Sequence, residues 1–93
     1  MDKIIINIEE VKIMMRSYEF FIQTERKHID FINKVMEAYE GLGIVRTLDA
    51  KLGTIKIIST EFYADDVRGV VKDLDNMGVY AKITYEGPWK GVL

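Results

Sequence analysis

Hydrophobic and polar positions along this chain switch between a two-residue and a helical period, and each switch marks an element. Ser17 to Gln23 alternates: Tyr18, Phe20 and Ile22 fall on one side, Ser17, Glu19 and Gln23 on the other, with Phe21 the apolar exception. That pattern predicts a half-buried strand. From Glu25 to Glu40 the period becomes helical. Ile29, Ile32, Val35, Met36 and Tyr39 make a stripe that Phe31, Ala38 and Leu42 widen, which predicts an amphipathic helix. Glu25 suits the positive end of the helix dipole, and Gly41 suits the left-handed stop.

Alternation returns over Ile44 to Asp49 and again over Thr54 to Ser59, with the turn Ala50-Lys51-Leu52-Gly53 between them. This predicts a hairpin in which Gly53 supplies a positive φ. After a loop around Glu61-Phe62-Tyr63, the residues Val67, Val70, Val71, Leu74 and Met77 predict a second helix, Ala64 to Met77. Asp65 and Asp66 lie in its first turn and Gly78 ends it. Val79 to Tyr85 predicts the last strand, with Val79, Ala81, Ile83 and Tyr85 inward. Pro88 has no N–H to pair, so the tail Trp89 to Leu93 is expected to leave the sheet.

The order from Ser17 onward is strand, helix, strand, strand, helix, strand, the split βαβ pattern of ferredoxin-like folds. Right-handed crossovers put both helices on one face of an antiparallel sheet. The expected architecture is therefore α+β, a ferredoxin-like (βαββαβ) two-layer sandwich over residues 16–93. Residues 1–15 form an N-terminal extension. Its alternating Ile4, Ile6, Ile8 and Val11, Ile13, Met15 favour extended structure. The rival is a short helix capped by Asn7, with Glu10 three residues on. The sheet face away from the helices is left open, with Phe21, Ile58 and Tyr80 expected on it. Apolar residues in the extension, and Trp89, Val92 and Leu93, add to this surface. An exposed apolar patch of this kind marks an interaction surface, so a homo-oligomer joined through the sheet is expected. The alternative is an extension that folds back over the same face.

Composition narrows the partners. A net charge of −2 with the basic residues scattered disfavours nucleic acid, which selects a basic stripe. The absence of cysteine removes disulfides and thiolate metal sites and fits a reducing cytoplasm. The run Ile4-Ile5-Ile6 is too short for a signal peptide. No apolar run approaches the ~20 residues that cross a bilayer. A cytoplasmic protein that contacts neither membrane nor nucleic acid is the expectation.

Candidate chemistry is sparse. His28 is the only histidine, too few ligands for a metal and without an adjacent nucleophile. The acidic pairs Glu37 with Glu40 and Asp65 with Asp66 read as solvated faces. Gly41-Leu42-Gly43 follows a helix, whereas phosphate loops follow a strand and open a helix. The chain lacks the glycine-rich cradle of acylphosphatases after the first strand. It also lacks the strand aromatics of RNA-recognition motifs in Thr54–Ser59. Arg46 holds more promise. If Val45 packs under the helices, Arg46 stands on the open sheet face, where a guanidinium takes a carboxylate or phosphate bidentately. Its alternative is an ion pair with Asp49 or Glu19. Tyr39, Arg46, Thr47 and Asp49 are the expected ligand-binding residues. No catalytic set, metal or cofactor is expected.

The segment Ile29-Asp30-Phe31, Met36-Glu37-Ala38-Tyr39-Glu40-Gly41-Leu42 and Val45-Arg46-Thr47-Leu48-Asp49 resembles a family of small bacterial proteins, domain of unknown function 4911. There a helix ending in Glu-Ala-Tyr-x-Gly leads into a strand with Thr-hydrophobic-Asp. The likeness spans residues 16 to 80 and implies no activity. The chain is also distantly similar to ACT-type regulatory domains, which share the split βαβ order and bind small ligands at dimer interfaces. It lacks their turn before the first helix, having Gln23-Thr24-Glu25-Arg26 instead. The function expected is a non-enzymatic, self-associating domain for small-ligand sensing or protein interaction. The alternatives are a small enzyme holding an anionic substrate through Arg46, with Tyr39 or His28 as proton donor, and a structural subunit of a larger complex.

Overall fold

The computed structural model describes residues 15–93 and, before them, Ile8 alone. The expectation for the N-terminal extension, strands or a short helix, thus lies outside the described residues. From Ser17 onward the elements are β1 (Ser17–Gln23), α1 (Ile29–Ala38), β2 (Ile44–Asp49), β3 (Thr54–Thr60), α2 (Ala64–Asn76) and β4 (Lys82–Pro88). Short 3-10 turns, Arg26–His28 and Glu61–Tyr63, precede the two helices. The strands form one antiparallel sheet in the order β2-β3-β1-β4. The described chain is α+β: four antiparallel strands and two helices.

The core forms where the two helical stripes meet one face of the sheet. Phe20 and Ile22 of β1, and Ile55 and Ile57 of β3, are buried against Ile29, Ile32 and Met36 of α1 and Val67, Val70, Val71 and Leu74 of α2. The period-two and period-3.6 patterns of the sequence converge here. Of the helical stripes, Ile32, Met36, Val67, Val71 and Leu74 are buried and Val35 is half-buried.

Differences from the predicted elements have local causes. The α-helical part of α1 begins four residues after Glu25. Glu25 itself is extended, at φ −114° and ψ 147°. The preceding Thr24 is tied to the sheet side of the molecule: its N–H donates to the Gly53 carbonyl at 2.8 Å, and its hydroxyl donates to the Tyr80 carbonyl. The chain turns helical only once it is clear of those bonds. Tyr39 and Met77, expected in the apolar stripes, sit at the C-terminal caps of their helices, past the end of the packed layer, and are exposed.

The strand β4 starts three residues later than predicted and carries an irregularity against β1. Ile83 lies opposite Ile22, but Tyr85 lies opposite Phe21, so Thr84 is the extra residue. A bulge shifts the alternation by one. Ile83 keeps its core-facing side, whereas Tyr85 turns to the far face and stacks on Phe21 with ring centroids 5.4 Å apart. Tyr80 precedes the strand altogether.

The far face is not open at its centre. Glu19 is 1 % and Lys56 3 % exposed, with Lys56 Nζ 3.8 Å from Glu19 Oε1. The tail does not leave the sheet. Trp89 N–H continues the pairing with the Ser17 carbonyl at 3.1 Å. The chain then turns through Gly91, whose φ is +82°. The Val92 carbonyl accepts from Lys56 Nζ and from the Trp89 indole N–H.

The hairpin turn is the tightest point of the backbone. Gly53 has φ +72°, and a Cβ there would lie 2.2 Å from the Thr24 carbonyl oxygen. Gly53→Ala is expected to destabilise the domain by more than about 1 kcal/mol, because both the conformation and the space are refused. Leu74→Ala, which empties a buried site between α2 and the sheet, is expected to cost about 2–5 kcal/mol. Urea denaturation measures both. A loss below about 1 kcal/mol for Leu74→Ala would mean that α2 packs through another face.

Candidate functional site

Three of the four expected site residues, Arg46, Thr47 and Asp49, lie on β2, an edge strand. Val45 packs partly against the core, so alternation sends Arg46 to the far face, between Ile44 at 51 % and Leu48 at 49 % exposure. Arg46 is opposite Lys56 in the β2–β3 register, and these like charges turn to different partners. Lys56 faces Glu19 and the Val92 carbonyl, while Arg46 Nη1 donates to the neighbouring Val45 carbonyl at 3.3 Å. The alternative ion pair of Arg46 with Asp49 or Glu19 is not formed among the described residues. One Asp49 carboxylate oxygen instead accepts the Leu52 N–H at 3.0 Å and closes the hairpin turn.

Tyr39 is elsewhere. It lines a cleft of about 520 Å³ at the ends of the two helices, with Leu42, Tyr63, Asp65, Asp66 and Asp73. Arg46 borders a separate hollow of about 240 Å³ beside Asn33, Glu37 and Gly43. His28, half-buried where α1 begins, lines neither. The constellation of His28, Tyr39 and Arg46 that a proton-transfer site would need is not assembled in either hollow. Proton transfer requires hydrogen-bond reach to one reacting atom.

The densest polar cluster was not legible in the sequence. Arg68 of α2 binds Glu86 of β4 with Nε 2.9 and 3.1 Å from its two carboxylate oxygens, and with Nη2 as well. Tyr18 of β1 donates its hydroxyl to the same carboxylate at 2.8 Å. Asp65 takes the remaining Nη1 of Arg68. The Arg68 hydrogen bonds hold the Glu86 carboxyl below its ordinary value, against the opposing effect of burial, and the Tyr18 hydroxyl adds to the lowering. Burial, and then Glu86, push the Tyr18 phenol up. Glu86 lies one residue beyond the predicted end of the last strand, and only the bulge at Thr84 returns it to the helix side, opposite Phe20. The carboxylate is taken up by Arg68 and Tyr18, so the cluster acts as a clasp between α2 and the edge strand rather than as a base.

Among the described residues, no three carboxylate or histidine side chains converge as metal ligands, and no helix is long and apolar enough to cross a membrane. The sequence profile of the family described as domain of unknown function, DUF4911, matches residues 22–77. The chain belongs to the DUF4911 family. The match runs from the end of β1 through α1, the β2–β3 hairpin and α2, and includes the Glu-Ala-Tyr-Glu-Gly run on which the resemblance rested. The matched profile is not that of ACT domains. No curated protein matches the chain, and no solved structure does.

The clasp gives a pH signature. A carboxyl whose folded value is depressed contributes stability above its ordinary value of 4.5 and loses that contribution as pH falls through the folded value. Glu86→Gln is therefore expected to be less stable than the parent by about 1 kcal/mol near neutrality, the partial exposure of the pair having been allowed for. The gap should narrow as pH falls below the ordinary value of 4.5 and close once it has passed the lower folded value. Urea midpoints measured across that range check it. A gap unchanged between neutral and acid solution would remove the charge from the account.

Proposed function

We propose that this DUF4911 domain is a ferredoxin-like (βαββαβ) interaction module that works by self-association and has no catalytic activity of its own. The strand order β2-β3-β1-β4, with both helical stripes packed on one face, supports the ferredoxin-like arrangement. One observation carries the functional reading. Three of the four polar residues expected to form a site, Arg46, Thr47 and Asp49, are spread along an exposed edge strand beside Ile44 and Leu48, and the four do not gather in one cavity. A row of alternating apolar and polar side chains on a strand edge suits pairing with another chain.

The enzyme alternative asks Arg46 to hold an anion while Tyr39 or His28 moves a proton. Those groups border different surfaces, and the charged side chain beside Arg46 in its hollow is Glu37, which repels an anion. A small ligand under Tyr39 would meet Asp65, Asp66 and Asp73 and would have to be a cation, the opposite of what Arg46 selects. Association accounts for more of the exposed residues than either. A reducing, cytoplasmic setting fits the cysteine-free chain.

Light scattering during gel filtration at micromolar concentration should return at least twice the 10.8 kDa chain mass. A monomer there overturns self-association and returns weight to a subunit of a mixed complex.

A further inference from the structure

The two edges of the sheet are built differently. The β4 edge carries the irregularity at Thr84, places Pro88 at its end, and is clasped through Glu86 to Arg68. Bulges and prolines are the devices that keep an edge from pairing. The β2 edge contains no proline and is regular from Ile44 to Thr47, its own irregularity falling after Thr47. It exposes Ile44 and Leu48 on either side of Arg46. Arg46 Nη1 turns back to the neighbouring Val45 carbonyl. The far face of the sheet, by contrast, is closed at Glu19 and Lys56. The pairable surface of the described chain is the β2 edge.

From this we infer that two copies of the chain join antiparallel along β2, about a two-fold axis through Thr47, into one continuous eight-stranded sheet. The inference rests on the self-association proposed above and names its surface. The strand's own charges select the register. Leu48 is the extra residue in the β2–β3 register, so Asp49 is the next paired position after Thr47 and shares the far face with Arg46. An axis through Thr47 therefore sets Arg46 opposite Asp49 of the second copy, and two opposite-charge pairs form by symmetry. An axis through Arg46 would set the two guanidinium groups against each other, which is destabilising. The one-residue alternatives between these put core-side positions opposite far-side positions and are forbidden by the pleat. The complementary partner is a second copy, because the strand carries both members of the pair. In the single chain Arg46 and Asp49 are not bonded to each other. The pairing leaves them a use.

The chain has no cysteine, so one introduced thiol reports one position. Thr47→Cys should crosslink to a dimer under mild oxidation, and Lys82→Cys on the β4 edge should stay monomeric on a denaturing gel. Arg46→Glu and Asp49→Lys should each convert the parent dimer to monomer in light scattering, and the double variant should restore it. Circular dichroism of each variant checks that the fold survives, which matters for Asp49 because it also closes the turn. If the parent protein is itself a monomer, self-association and the edge pairing fall together. If the parent is a dimer that survives Arg46→Glu, or that crosslinks through Lys82→Cys and not Thr47→Cys, self-association stands and the β2 interface is wrong.

Discussion

The structure depends on a strand that is buried on both of its faces with opposite chemistry. β1 is paired on both sides, to β3 and β4. Phe20 is enclosed toward the helices and Glu19 is enclosed away from them. The first is ordinary core formation. The second places a carboxylate where desolvation costs several kcal/mol unless a counter-charge answers it. Lys56, one strand over, provides that charge at 3.8 Å, too far for a strong hydrogen bond. Among the described residues neither Glu19 carboxylate oxygen has a hydrogen-bond partner. The lysine is in turn satisfied by the Val92 carbonyl. The path of the C-terminal tail over the far face follows from a charge in the middle of the sheet.

How much of this the sequence displayed depended on whether a neighbour was local or distant. The bounds of Ser17–Gln23 and Ile44–Asp49 were readable to the residue, because each run lies between clear stops. The glycines at 53 and 78 were equally plain, since each occupies a left-handed position that other residues avoid. The last strand was misread because its alternation is interrupted at Thr84. A bulge is a property of two strands in register, and one strand's letters do not contain it. Glu19 looked like a solvent-facing position by its parity. Its counter-charge is a lysine 37 positions later, which the letters around Glu19 do not announce.

The candidate site was legible as residues and not as a place. Arg46, Thr47 and Asp49 were singled out because polar groups stand on a strand next to apolar ones. Tyr39 was joined to them by closeness along the chain, but the stop at Gly41 and the reversal into β2 carry it to the helix ends. The Arg68–Glu86–Tyr18 clasp was invisible for the opposite reason. Its members come from a helix and two strands far apart in the chain, and nothing in the spacing of an arginine within an apolar stripe distinguishes a clasp from a solvated charge.

The irregular edge of β4 also bears on size. A sheet with two regular edges is an open-ended building block: each addition presents a fresh edge, and growth runs on toward fibres. Here the extra residue at Thr84 and the proline at position 88 cap one end of the strand order. A sheet that can be extended from a single side, and by its own mirror in sequence, is complete after one addition. Under the β2 pairing proposed above, the bulge that hid Tyr85 and Glu86 from the sequence would also set the stoichiometry, closing the assembly at two copies.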